Sequence, residues 1–253
     1  MEKNMLKEIE SYCNKLLRIH EFADWTEAQN GLQVENSGQV NKIVAAVDVS
    51  CRTVRMAVER KASLMMVHHG LFWGGIRPWV GKRYELIRDL IKHDIALFSC
   101  HLPLDAHPTL GNNAQLAQVL GLSQIEPFME MKGQFIGYKG VLKIRREELK
   151  SLFEKVLGSS CVVLGCGPEQ CEKIGIVSGG AGEEVTDAFY EGVDTYITGE
   201  GPHWTWTTAQ ELGINVLYGG HYMTERFGIR ALATHVAEHF NIPWEFMDDP
   251  SGL

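Results

Sequence analysis

The sequence predicts an α/β fold of two lobes, with mainly parallel or mixed sheets flanked by helices. Short unbroken apolar runs, such as KIVAAVDV at 42–49 and SLMMV at 63–67, read as strands buried on both faces. Between them lie stretches with apolar residues three and four apart, the spacing of a helix face. The alternation restarts in the second half, and alternation of this kind implies helix-covered sheets joined by crossovers. The lobes are expected at 1–126 and 127–253, with the boundary somewhere in 122–135.

In chain order, Leu6, Ile9, Cys13, Leu16 and Leu17 share one face of a first helix. A loop follows and ends in Asn30-Gly31-Leu32-Gln33-Val34-Glu35. The run at 42–49 is a strand, 53–61 a helix, and 63–67 a second strand ending at His68-His69-Gly70. Residues 84–93 are helical, and IALFSC at 95–100 is a third strand running into His101-Leu102-Pro103-Leu104-Asp105. A short helix at 113–120 is closed by Gly121. The second half reads as strand 140–144, helix 146–157, strand 161–164 and a buried strand at 173–177. That strand leads into Ser178-Gly179-Gly180-Ala181-Gly182 and a helix at 183–191. A strand at 194–197 leads to Thr198-Gly199-Glu200, a helix follows at 204–212, and a strand at 214–218 leads to Gly219-Gly220-His221. The last long helix spans 224–239, and 242–246 closes the chain as a strand.

Hydrophobic residues make up 45% of the 253 positions and charged residues 22%, an ordinary globular composition with no low-complexity segment. The net charge of −8 argues against a general nucleic-acid or anionic-membrane binder, since such partners repel it at long range. Binding nucleic acid would need a locally basic cleft. The opening MEKNMLKEIESYCNKLL lacks the apolar core of a signal peptide. No stretch approaches the roughly 18 apolar residues of a membrane span. The expected location is therefore the cytoplasm. There the six cysteines, none in CxxC spacing, read as free and mostly buried thiols.

Ligands of open parallel sheets gather beyond the carboxyl ends of the strands. His68, His69, His101 and Asp105 stand there in the first half, and Glu200 and His221 in the second, with Glu225 four residues on. Adjacent histidines point to opposite faces of a regular strand, but at a strand end they could serve two neighbouring ions. Two close divalent ions repel and need shared carboxylates, for which Asp105 and Glu225 are candidates. His221 and Glu225 share a helix face if the helix starts early. Imidazole with carboxylate suits Zn, Fe, Mn, Co or Ni better than Mg or Ca. Each residue also has a plainer reading: a packed histidine, a turn-capping Asp105, a solvated HxxxE pair.

The blocks themselves are more specific than the spacing. Asn30-Gly31-Leu32-Gln33-Val34-Glu35, His68-His69-Gly70-Leu71-Phe72-Trp73, His101-Leu102-Pro103-Leu104-Asp105-Ala106-His107 with Gly111-Asn112-Asn113, Ile197-Thr198-Gly199-Glu200 and Gly220-His221-Tyr222-Met223-Thr224-Glu225 occur in that order. Together they resemble the signature of the NIF-three-like dinuclear-metal family, whose members are often labelled GTP cyclohydrolase I type 2 homologues. The resemblance spans almost the whole chain and implies two intertwined α/β lobes of duplicated topology, with two divalent ions in the cleft between them. It implies His68 and His69 as ligands of one ion each, Asp105 as the aspartate ligand, His221 as the second-site histidine and Glu225 as the bridge. It also implies a ring-shaped homohexamer. The chain resembles the short form, which lacks an inserted middle domain.

The chemistry expected of such a site is metal-assisted hydrolysis. His101 would be a hydrogen-bonding partner of the ligands or a proton shuttle, the former preferred. Glu200 would be a general base or substrate contact, or simply an acid at a helix start. Ser178-Gly179-Gly180-Ala181-Gly182 could cradle an anion, but lacks the P-loop pattern and reads better as a tight packing turn. Trp73 and Trp79 could stack a heterocycle or line a rim. The expected partner is a small molecule, with a nucleotide-like or heterocyclic substrate as the working guess. The rival class is a non-catalytic metal-binding protein or scaffold, which a closed coordination shell would distinguish.

Overall fold

Apolar runs and helix faces become strands and helices at nearly the expected places. The computed structural model describes residues 4–75 and 77–253. In chain order the elements are α1 (Met5–Leu16), β1 (Gly31–Val34), β2 (Ile43–Asp48), α2 (Cys51–Glu59), β3 (Leu64–His69), α3 (Lys82–Lys92), β4 (Ala96–Ser99) and the single turn α4 (Leu102–Asp105). There follow α5 (Asn112–Leu120), β5 (Ser123–Met131), β6 (Gln134–Arg145), α6 (Arg146–Leu157), β7 (Val162–Gly165) and β8 (Gln170–Ile176). The chain ends with α7 (Val185–Tyr190), β9 (Thr195–Thr198), α8 (Thr205–Leu212), β10 (Asn215–Tyr218), α9 (His221–Phe240) and β11 (Trp244–Phe246).

The chain forms two compact units, one of residues 1–104 with 229–249 and the other of 105–228 with 250–253. The expected division at 126/127 falls inside β5, well within the second unit. The chain returns to the first unit near its end, because α9 from Ile229 onward and β11 belong there.

The first unit holds a sheet of order β1-β4-β3-β2-β11. β4, β3, β2 and β11 run parallel, while β1 is antiparallel to β4. The three central strands β2, β3 and β4 are buried almost throughout and follow the unbroken apolar pattern that two covered faces demand. Val44, Ala46, Met65, Val67 and Leu97 pack with Val54 and Ala57 of α2 and Leu90 of α3 in one core. α1 begins at Asn4, whose side chain accepts from the Lys7 N–H, and buries Leu6, Ile9 and Cys13. Ser50 and Thr53 form a reciprocal cap at the start of α2.

The second unit holds a mixed sheet of order β5-β6-β8-β9-β10-β7. β8, β9 and β10 are parallel, and the β5–β6, β6–β8 and β10–β7 pairs are antiparallel. Leu149, Phe153 and Leu157 of α6, four residues apart, pack with Leu116, Leu120, Ile174, Ile176, Ile197 and Leu217. Among the described residues, no helix is long and apolar enough to cross a membrane. All six cysteines are free, and burial pushes the Cys13 thiol up to about 12.

Candidate metal centre

In the first unit the candidate residues come from three neighbouring parallel strands. β3 ends in His68 and His69, and the parallel register sets Asp48, the last residue of β2, beside His69. β4 ends at Ser99, and His101 lies two residues on. The carboxyl ends of β2, β3 and β4 thus deliver Asp48, both histidines and His101 to one edge of the sheet.

Each imidazole is held through the same atom. Nδ1 of the fully buried His68 is 2.9 Å from the Cys100 carbonyl oxygen. Nδ1 of His69 is 2.9 Å from Asp48 Oδ1. Nδ1 of His101 is 3.0 Å from Asp24 Oδ1. Carbonyl and carboxylate oxygens only accept, so each Nδ1 donates. One ring nitrogen from each of the three lies within 4.8 Å of the others, close enough to hold one cation. Their centroids are 4.8, 5.0 and 5.6 Å apart.

Asp24 is the residue that sequence reasoning missed here. Its side chain is 6% exposed. Oδ1 accepts from the Trp25 N–H, and Oδ2 from the Leu102 N–H and Asn30 Nδ2, besides the bond from His101. Burial would raise its carboxyl, but the hydrogen bonds and charge of His101, with Asn30 and Trp25, outweigh this and hold it below the usual range. Gln33 of the first motif ties the same region together. Its Oε1 accepts from the Leu71 N–H, and a side chain at Gly70 would collide with the Gln33 amide at 2.3 Å. Trp73 lies 4.8 Å and Trp25 5.9 Å from the His101 ring, centroid to centroid. Trp79 is packed by Phe72 and covered by the Arg83 guanidinium.

The second unit carries Asp105, Glu200, His221 and Glu225. α9 starts at His221, three residues before the expected helix, so the condition for His221 and Glu225 to share a face is met. His221 Nε2 lies 3.1 Å from Glu225 Oε2, and Nδ1 lies 2.7 Å from Glu200 Oε1. Burial lowers the His221 pKa, but Glu225 and then Glu200 more than offset that and push it up to about 9. The structure thus places Glu200 against a ligand candidate, as the acceptor that orients its ring. Asp105 is 5% exposed, and its Oδ1 accepts from Asn112 Nδ2 at 2.7 Å and Ser178 Oγ at 3.2 Å. Asn112 in turn accepts from the Gly228 N–H, and Asn113 bridges Ile136 and Ser178. The Gly-Asn-Asn block is therefore the buried frame of Asp105.

The Gly-rich loop is a packing turn. Ser178, Gly179 and Gly182 donate their N–H groups to Asn113, Thr224 and the Glu200 carbonyl, inside the unit. Gly179 has φ +72, and a Cβ there would lie 2.3 Å from Glu225 Oε1. Its role is to let the loop close on a buried carboxylate.

The donors suit transition-metal cations: three oriented imidazoles in the first unit, and in the second His221 against the buried Glu225. A profile described as Duf34/NIF3 (NGG1p interacting factor 3) matches residues 4–251. A Deinococcus radiodurans protein named GTP cyclohydrolase 1 type 2 homolog is 38% identical over 248 residues, covering 97% of this chain and 94% of its own. A Neisseria meningitidis serogroup A protein of the same name is 42% identical over 235 residues, 92% of each chain. The crystal structure of TTHA1606 from Thermus thermophilus superposes with a TM-score of 0.89 at 35% identity, covering 98% of this chain and 99% of that one.

Proposed function

The chain belongs to the Duf34/NIF3 family, and on that premise we propose that it binds two divalent cations and uses them to hydrolyse a nucleotide-like or heterocyclic substrate. The proposed ligands are His68, His69, Asp105, His221 and Glu225, with Glu225 shared by both ions. The observation that carries the reading is the way each histidine is held. His68, His69 and His221 each have Nδ1 bonded to an acceptor, namely Cys100, Asp48 and Glu200. Metal-ligating imidazoles are oriented in this manner. Asp105 and Glu225 add support as buried carboxylates, the kind of donor that two close cations need to share.

When bound, such an ion pair supplies Lewis acidity and lowers the pKa of water to about 7. The chain's own residues do the rest. Asp48 and Glu200 fix the imidazole planes, and Asn112 with Ser178 fixes Asp105. His101 and Glu200 are the proposed residues for holding a proton near the reacting centre. The half-exposed indoles of Trp25 and Trp73 beside His101 offer faces to a flat ring. The name shared by the relatives makes ring opening of GTP the first reaction to try. We also propose that the protein works in the cytoplasm as a self-assembled hexameric ring, which light scattering would report as a hexameric mass.

The test is turnover by metal-loaded protein of a panel of nucleotides, phosphodiesters and small amides. Hydrolysis of at least one, lost in Glu225→Gln, is expected. No turnover with any substrate under any of several divalent metals would overturn the hydrolase reading and leave a binding protein.

A further inference from the structure

We propose that the loop between β3 and α3 is an arm that grips the phosphate groups of a nucleotide, with Arg77 and Arg83 as the phosphate-binding residues and Trp73 as the platform for the base. The inference deepens the hydrolase reading and rests on it, because it names the substrate class of that site as a phosphorylated nucleotide rather than a free base or nucleoside. The sequence offers Ser178 to Gly182 as the anion cradle. In the structure Ser178, Gly179 and Gly182 spend their N–H groups inside their own unit, so that loop has none of these donors left for a phosphate.

The distribution of charge points to the β3–α3 loop instead. Residues 50–93 hold nine of the chain's 24 lysines and arginines but three of its 32 acidic residues, a positive stretch in a chain of net charge −8. Such a local excess attracts an anion that the whole molecule repels. Within it, Arg52, Arg60, Lys82 and Arg88 pair with Asp249, Glu245, Glu85 and Asp89. Among the described residues no carboxylate forms an ion pair with Arg77 or Arg83, and positions 70–84 contain no acidic residue.

Both guanidiniums are nonetheless held. Arg77 Nε donates to the Gly74 carbonyl at 3.1 Å, and Arg83 Nη1 donates to the Arg77 carbonyl at 2.7 Å. Arg83 also lies 4.4 Å over the Trp79 ring. A Cβ at Gly74 would lie 2.9 Å from Arg77 Nη2, so that guanidinium rests against the turn just after Trp73. Each anchor uses one N–H of five and leaves the others for a ligand. A guanidinium fixed in this way loses little freedom on meeting a phosphate, which its planar fork matches with paired bonds. The half-exposed Trp73 lies 5.7 Å from the His69 ring and 4.8 Å from the His101 ring, nearly perpendicular to both. The arm therefore runs from the histidine cluster through an indole to two guanidiniums, the sequence of contacts that a base and its phosphates require. A packing role would have buried these side chains or paired their charges.

The test is calorimetric titration of the full-length protein, with metal content matched between variants by elemental analysis. The probes are GTP, guanosine and inorganic triphosphate. The wild type should bind GTP at least about tenfold more tightly than guanosine, and added salt should weaken GTP but not guanosine. Arg77→Gln and Arg83→Gln should each weaken GTP and triphosphate about tenfold and leave guanosine unchanged. Trp73→Ala should weaken GTP and guanosine but not triphosphate. Lys92→Ala, an exposed change at the far end of α3, should alter none of them. Should Arg83→Gln lower the melting temperature by releasing Trp79, Arg77→Gln alone decides. Unchanged GTP affinity in a folded Arg77→Gln, or a wild type that binds neither GTP nor triphosphate, would overturn the inference. Unchanged guanosine affinity in Trp73→Ala would overturn its stacking part. These readings are of binding, so a protein that holds GTP through Arg77 yet turns over no substrate loses the hydrolase reading alone.

Discussion

His221 holds the sharpest pH prediction. Without metal its two ring nitrogens face Glu200 and Glu225, and its pKa stands at about 9 against 6.5 for the ordinary side chain. A group with a raised folded pKa contributes stability that is fully present below the unfolded value and lost as pH rises through the folded one. Chelator-treated protein should therefore lose stability as pH climbs from about 6.5 through about 9, measured by urea unfolding. Cation binding should show the opposite sign, because the ion must displace that proton. Apparent Zn2+ affinity should rise about tenfold per pH unit below 9, measured by competition with a chelator of known affinity. Glu225→Gln should weaken both trends. Gly179 supplies a second prediction. Ala at φ +72 is strained, and its Cβ would meet Glu225 Oε1 at 2.3 Å, so Gly179→Ala should lower stability by about 1–3 kcal/mol and weaken cation binding. The histidines and acids of the motifs are legible at this scale from sequence. Asp24 is not: it meets His101 across 77 positions of sequence, in a stretch that reads only as a loop.

The buried parallel strands are the easiest elements to read, since two covered faces leave an unbroken apolar run. β5 escapes the sequence reading for the converse reason. Ser123 to Pro127 are all exposed, Pro127 interrupts the pattern, and a register shift breaks the pairing with β6. β1 reads as loop because, of its four residues, only Gly31 is buried. Asp48 stands at the end of a recognisable strand, but its role is visible only once the β2–β3 register places it beside His69. At the element scale Asn112 is decisive, because it joins α5 to Asp105 and to the Gly228 N–H of α9. Asn112→Ala leaves two buried groups without this partner and should destabilise the protein by about 1–3 kcal/mol in urea titration. Phe153→Ala opens a cavity in the second core and should cost about 3–5 kcal/mol.

For the whole molecule, the sequence points to the class of fold and to two lobes but misplaces the division between them. Alternation of strand and helix says how many layers a chain can build. It does not say that α9 from Ile229 and β11 go back to the first unit, because strand pairing is decided by partners distant in sequence. The central claim is the proposal that His68, His69, Asp105, His221 and Glu225 bind two cations per chain. A ligand that binds only the folded state raises stability, so chelation should lower the melting temperature and re-addition of metal restore it. The most direct measurement is elemental analysis of protein purified without added metal, beside His68→Ala and Glu225→Ala. The account predicts two transition-metal ions per chain in the wild type, one or none in His68→Ala, and none in Glu225→Ala. A metal-free wild type that stays empty when soaked with transition ions, or variants that keep the full complement, would contradict it.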